Sequence, residues 1–239
     1  MPLACPSETL TDREILVFTD SGRDPEQNLG RESELFERFD GGGLPELLRF
    51  WVNSPCLVRG KVQNKRYGWY NEDLAAALHI PVIERSSGGG VVFHDEGNLN
   101  WSFFFKTYGT ILSPTKAFQK GSEHIISALR SLGVEAEFSP PNRIDVKGRK
   151  VTGMAARSTP RSLLVHGTLL LNSDLGKLNQ LCIPPPGCPP VSNVAEGVNG
   201  INGAAVEAAV VEVLKRSGYK VLKHNLTGRR LVGDFRRSR

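Results

Sequence analysis

Long apolar runs are missing from this sequence: nowhere do about 18 apolar residues follow one another, which argues against a membrane-spanning helix. The start, MPLACPSETLTDREILVF, lacks a basic stretch followed by an apolar one, which argues against a secretory signal. A cytoplasmic protein without a membrane partner is expected. Cysteine is scarce: Cys5, Cys56, Cys182 and Cys188 are the only four, and none stands in a CxxC pair. Reduced thiols are expected, because a domain of this size needs no disulfide framework. A proline-rich stretch separates Cys182 from Cys188 with no second Cys or His pair nearby, so the zinc reading is weak. Internal repeats and the aromatic-studded signature of RNA-binding domains are also absent. The net charge is +5, yet the basic residues are scattered except in the tail GRRLVGDFRRSR, which reads as a solvated terminus. No nucleic-acid partner is expected, while attraction to an acidic partner or an anionic nucleotide stays open. At 39% hydrophobic and 23% charged, the composition excludes collagen-like, disordered and membrane classes. The 239 residues suffice for one domain with a sizeable core.

What is present alternates between strand-like and helix-like periods. Residues 1–27 are polar and mixed, with EILVF (Glu14 to Phe18) as a short strand in an N-terminal extension. Leu35, Phe36 and Phe39 give one apolar stripe ended by the glycines at 41–43, which predicts a helix. LLRFWV and CLVRG read as strands split by a turn, and NEDLAAALH reads as a short helix before the strand PVIER. VVF and NLNWSFFF read as a strand pair joined at His94-Asp95-Glu96-Gly97. Ser113-Pro114 opens a helix whose stripe runs through Phe118, Ile125, Ile126, Leu129 and Leu132 to Gly133. NRIDVKGRKVTGMAARS reads as a hairpin turning at Lys147-Gly148, followed by the strand LLVHGTLLLN and a helix capped near Asn172 or Ser173. Prolines keep CIPPPGCPPVSNV extended, and Val206, Ala209, Val210, Val213 and Leu214 mark a closing helix. Strands outnumber helices and many join at turns too short for crossovers. The expected class is α+β: a mostly antiparallel sheet backed by helices.

Three stretches carry chemical interest. In ERSSGGGVVF the three glycines either let another backbone approach closely or let amide groups converge on an anion, with Arg85 adding charge. No Walker loop or dinucleotide fingerprint is present, since neither the following residues nor the spacing fits. Lys150, in GRKVTGMAAR, would ordinarily be a solvated surface charge beside a turn. The small residues after it would instead leave its ammonium group facing a concavity, where it can neutralise a phosphate and polarise a carboxylate. His166, in HGTLLLN, is a general base or, more commonly, a satisfied histidine on a buried strand. No Ser-His-Asp arrangement can be assigned.

Taken in order, ERSSGGGVVFHDEGNLNWSF, GRKVTGMAAR and HGTLLLNSDL resemble the signature stretches of the lipoate-protein ligase A family, in the biotin/lipoate ligase and octanoyltransferase superfamily. The resemblance spans about residues 28 to 215 and implies a class II biotin/lipoate ligase-like catalytic domain over 28–222. It implies a two-step reaction with ATP and Mg2+ as co-substrates, lipoate or octanoate as the acid, and no permanently bound cofactor. An acyl-adenylate would form first, and the acyl group would then pass to a lysine of a lipoyl carrier domain. The implied carriers are of the 2-oxoacid dehydrogenase E2 type, the glycine cleavage H protein type, or a related lipoate-binding protein. Lys150 is the implied catalytic residue. Arg85, Ser87, Gly88, Gly89, Gly90, His94, Asn142, Gly153, His166, Gly167 and Thr168 are the implied contacts of lipoate or its adenylate. Gly90, Val91, Val92, Phe93 and Lys150 are the implied nucleotide contacts.

The chain departs from the family pattern at two positions. Glu84-Arg85 replaces a pair of arginines, and Asn142-Arg143 replaces Asn-Asp. Glu84 and Arg143 are expected to face each other as an exchanged ion pair. Asp145, two residues along the same strand, would take over magnesium. After residue 222 only the basic tail 223–239 and no C-terminal accessory domain is expected, so either a separate small accessory subunit supplies that function, the reading preferred here, or the enzyme manages without it. The rival reading is an ATP-independent octanoyl or lipoyl transferase that forms a thioester on Cys182 or Cys188. A non-catalytic scaffold for lipoylated partners is disfavoured by the intact Lys150, and biotin by the lack of a Gly-Arg-Gly loop.

Overall fold

The computed structural model describes residues 13–61, 69–196, 198 and 200–223. Strand β1 (Arg13–Thr19) leads into helix α1 (Pro25–Asp40) and β2 (Glu46–Trp51). Next come β3 (Cys56–Gly60), α2 (Glu72–Ala77), β4 (Val82–Arg85), β5 (Val91–His94), β6 (Asn98–Lys106) and α3 (Pro114–Ser131). Four strands follow: β7 (Ala136–Ser139), β8 (Arg143–Val146), β9 (Arg149–Ser158) and β10 (Ser162–Leu170). The described chain closes with α4 (Leu175–Leu181), a 3-10 turn at Val194–Glu196, α5 (Gly203–Arg216) and β11 (Tyr219–Lys223).

Eight strands form the main sheet in the order β11-β1-β2-β6-β10-β9-β8-β7, and β4-β3-β5 form a smaller one. Every pairing from β2 to β7 is antiparallel, while β1 runs parallel to both β2 and β11. The expected α+β class is what the chain adopts. Each of the five α-helices among the described residues begins at an Asp, Asn or Ser whose side chain accepts the N–H three residues on, satisfying one orphan donor.

β6 sets the layering. Its odd residues Leu99, Trp101, Phe103 and Phe105 point into a core with Ile125 and Leu129 of α3 and Val206, Val210 and Leu214 of α5. On the opposite face, Phe104 packs with Leu35, Phe36 and Phe39 of α1, and with Leu47 and Leu164. The even residues Asn100 and Ser102 are also fully buried on that face, so polar groups lie where a core residue would normally sit.

Several expectations change. β1 is no extension, because it sits inside the main sheet between β11 and β2. β5 and β6 do not pair: β5 joins β3 in the small sheet, and β6 lies between β2 and β10. The cap of α4 is Asp174. β7 and β11 were not foreseen, and residues 1–12 and 224–239, most of the expected tail, lie outside the described residues. Among the described residues, no helix is long and apolar enough to cross a membrane.

Candidate active site

A cavity of about 580 Å3 lies where the small sheet, β9, β10 and the proline-rich segment 183–190 face one another. Strand register explains its floor. Asn100 and Gly153 lie directly across from Thr168, while Ser102 and Ala155 lie across from His166. Paired residues share a sheet face, so Asn100, Thr168, Ser102 and His166 make a polar stripe under the cavity.

The glycine loop forms the opposite wall, and Arg85 organises it. Its Nη1 donates to Val58 O (3.1 Å), its Nη2 to Gly88 O (2.7 Å) and Gly90 O (2.9 Å), and its Nε to Ser87 Oγ (3.1 Å). Burial draws this guanidinium down to about 10, so it stays charged at neutral pH. Gly89 adopts φ +98°, and a Cβ there would meet Arg85 Nη2 at 2.8 Å. A Cβ on Gly90 would strike the Trp69 ring at 2.5 Å. Close approach therefore accounts for Gly89 and Gly90. The loop is tied down rather than loose, and the charge of Arg85 is spent on holding it.

Two buried histidine relays hold the floor. His166 Nδ1 lies 2.8 Å from Glu32 Oε2, and its Nε2 lies 2.7 Å from Ser87 Oγ. Burial pushes the Glu32 carboxyl up, but His166, hydrogen bonds from His166 and Ser102, and Arg49 outweigh it and hold the pKa below the usual range. Ionised Glu32 only accepts, so Nδ1 carries a proton. Ser102 donates to Glu32 and accepts the Trp51 indole N–H. A Ser87-His166-Glu32 contact thus exists in space that the sequence does not reveal. Ser87 is buried behind the cavity wall, so the contact ties the glycine loop to the sheet rather than presenting a nucleophile. In the second relay, Asn28 donates to Asn53 Oδ1 (2.9 Å), which leaves Asn53 Nδ2 to donate to His94 Nδ1 (3.1 Å). His94 Nε2 then donates to Thr168 Oγ1, and Thr168 to Asn100 Oδ1, both at 2.9 Å. Burial first, then the charges of Arg85 and His166, lower His94 to about 3, so it is a neutral positioning group.

Lys150 reaches the cavity through a β-bulge. Asp145 pairs with Lys150 but Ile144 pairs with Thr152, leaving Val151 as the extra residue. In a regular strand Lys150 and Gly153 would point to opposite faces; the bulge puts them on the same one. A Cβ on Gly153 would come within 2.9 Å of Lys150 Nζ, so glycine provides the space that the ammonium group occupies. The proline-rich segment fixes the backbone, with Lys150 N donating to Pro190 O (2.9 Å) and Ser192 N to Lys150 O (3.1 Å). Among the described residues no carboxylate pairs with Lys150, although Asp145 is its register partner.

Asp145 is taken by Arg143, whose Nε lies 2.9 and 3.1 Å from its two carboxylate oxygens. Glu84 pairs with Arg59 at 3.5 Å. The expected Glu84–Arg143 exchange is therefore absent, because each side chain has a nearer partner. Nor does Asp145 fit a magnesium ligand: both oxygens face a guanidinium, and the described residues include no group of three or more His, Cys, Asp or Glu able to hold a metal.

The stretches picked out in sequence thus converge on one cavity. Arg85, Gly89, Gly90, Val91, Val92, Phe93 and His94 line one side of it, and Asn142, Lys150, Gly153, His166, Gly167 and Thr168 another. Ser87, Gly88 and Asp145 do not line it. Asn142 donates to Met154 O (2.7 Å) and anchors β8 to β9. Gly167 is required from the far side, where a Cβ would meet the Trp101 ring at 2.6 Å.

The family model for the lipoyl protein ligase A/B catalytic domain matches residues 24–221. This chain belongs to that family. Lipoate–protein ligase 1 of Staphylococcus aureus is 38% identical over 163 residues, which cover 68% of this chain and 48% of that protein. Lipoate-protein ligase LplJ of Bacillus subtilis is 41% identical over 162 residues, covering 66% and 46%. The chain spans about half the length of these curated relatives. Among solved structures, the bi-partite lipoate protein ligase of Thermoplasma acidophilum superposes with a TM-score of 0.77 at 21% identity, over 90% of this chain and 88% of that one. A lipoate-protein ligase A bound with ATP gives 0.77 at 22% identity, over 91% and 90%. Both likenesses establish the fold.

Within this lipoyl protein ligase A/B fold, sequence reasoning missed Glu32, Asn100 and Ser102, and it gave Arg143 the wrong partner. Glu32 carried a signal, since it is a charged residue on the buried stripe of α1 with Leu29, Leu35 and Phe36. Cys182 and Cys188 line the cavity as well. Burial pushes the Cys182 thiol up to about 11 against the opposing pull of Lys150, so it stays protonated near neutral pH.

Proposed function

We propose that this chain is an ATP-dependent lipoate-protein ligase, acting in the cytoplasm on lipoate or octanoate. The carrying observation is the Lys150 ammonium group, set over Gly153 on the wall of a cavity of about 580 Å3 without a carboxylate partner. Carboxylate and phosphate repel each other, and a fixed cation between them lowers that repulsion. In the first step a carboxylate oxygen of the acid attacks the α-phosphorus, the bond to the β-phosphate oxygen breaks, and pyrophosphate leaves. In the second, the ε-amine of an acceptor lysine attacks the acyl carbon, the bond to the phosphate oxygen breaks, and AMP leaves as the amine gives up a proton. Lys150 holds the carboxylate and α-phosphate oxygens in both. The apolar wall from Val91, Phe93, Met154 and Leu178 suits an acyl chain. The acceptor is a lipoyl carrier domain of the E2, H protein or related type, and a separate small subunit assists.

Magnesium, when it accompanies the triphosphate, would supply charge neutralisation there; among the described residues no carboxylate lines the cavity. The thioester alternative is disfavoured at Cys182, whose thiol burial pushes up to about 11. Two assays decide. With lipoate present, the protein exchanges labelled pyrophosphate into ATP, and it still transfers acyl groups when Cys182 and Cys188 are both alanine. Lack of exchange, or loss of transfer in the double variant, overturns the reading.

A further inference from the structure

We infer that Arg143 grips the outer phosphates of the nucleotide, beside Lys150 on the α-phosphate. This rests on the nucleotide reading above. Arg143 lies directly across the β8–β9 hairpin from Gly153, the residue over which the Lys150 ammonium lies. Both cations therefore flank one glycine on one sheet face, and both line the cavity. The second arginine of the wall, Arg85, spends all three guanidinium nitrogens on the glycine loop and β3.

Arg143 is built differently. Its Nε is held by both oxygens of Asp145, which is only 3% exposed. Among the described residues its Nη1 and Nη2 have no protein acceptor, and the side chain keeps 28% of its exposure. An anchored guanidinium with its outer edge free is a rigid fork of donors, matched to two phosphate oxygens. The same anchor keeps Asp145 from neutralising Lys150. Because Arg143 and Asp145 sum to no net charge, the fork acts through directed hydrogen bonds more than through added charge, and its worth is that of hydrogen bonds to a charged group.

The test is calorimetric titration of the full chain with two ligands: ATP, and a non-hydrolysable acyl-sulfamoyl adenosine, which has no β- or γ-phosphate. In Arg143→Gln, ATP affinity falls by about 10- to 100-fold, while the acyl-sulfamoyl ligand binds within about threefold of wild type. Arg143→Lys, which keeps a cation beside Asp145 and serves if the Gln variant does not fold, loses ATP affinity selectively and to a smaller extent. Unchanged ATP affinity in these variants, or equal loss of both ligands, overturns the assignment. If wild type binds neither ligand, the nucleotide reading fails and this inference falls with it.

Discussion

Within the tripeptide Gly88-Gly89-Gly90, three adjacent backbones meet three different surroundings. A Cβ on Gly88 has open space, one on Gly89 meets Arg85 at a φ of +98°, and one on Gly90 meets an indole ring. Gly89→Ala is expected to cost about 1–3 kcal/mol through strain and displacement of the arginine, and Gly88→Ala under about 0.5 kcal/mol. Urea unfolding midpoints check this, and equal effects would contradict it. Glu32 is the other residue with a sharp expectation. Glu32→Ala leaves His166 and Ser102 without their shared acceptor, and a loss of about 3 kcal/mol is expected. A change below about 1 kcal/mol would mean that water replaces the carboxylate at little cost. The glycines were visible in sequence, but their cause was not, because Trp69 and Val58 reach the loop from other parts of the fold.

Among the elements, the long helices were the most legible. α1, α3 and α5 repeat apolar residues at helical spacing and carry caps, so pattern alone finds them. The pairing of strands was less so. The β5 and β6 segments are apolar runs joined by a short turn, which is also what a hairpin looks like; only the pairings of β5 with β3 and of β6 with β2 and β10 show that the chain changes sheets there. β7 (AEFS) and β11 (YKVLK) mix single apolar residues with polar ones and carry no apolar run like that of VVF or CLVRG, so nothing in the sequence marks them as strands. The bulge that aims Lys150 could not be read either, since an extra residue appears only once register is known. The proline-rich segment bonds to both backbone groups of Lys150. Replacing Pro184, Pro185 and Pro186 by glycine should lower thermal stability by about 0.4–1 kcal/mol per proline and raise KM for ATP more than it lowers kcat. Kinetics matching wild type would show that the segment is a passive rim.

For the molecule as a whole, acid sensitivity follows from its buried titratable groups. His94 is lowered to about 3 and His124 to about 4, mainly by burial. The unfolded chain therefore binds protons that the folded one refuses as pH falls from about 6.5, and stability drops by up to about 1.4 kcal/mol per pH unit for each histidine. Glu32, held low, adds a further loss once pH falls below its unfolded value near 4.5. Unfolding midpoints measured from pH 7 to 5 should fall steadily, and less steeply in His94→Gln; a flat profile would contradict the buried, neutral histidines. At this scale the fold class and part of the cavity wall were legible, because the glycine loop, Lys150 and the His166 strand sit in three compact stretches; the wall supplied by the proline-rich segment was not. The groups that hold those stretches in place were not, since Glu32 and His166 are 134 residues apart. The most direct measurement is acyl-adenylate formation from lipoate and ATP by Lys150→Ala, beside wild type and with folding verified. Loss of two orders of magnitude or more is expected; adenylate formed at an undiminished rate would mean that the Lys150 ammonium group is not what drives the chemistry.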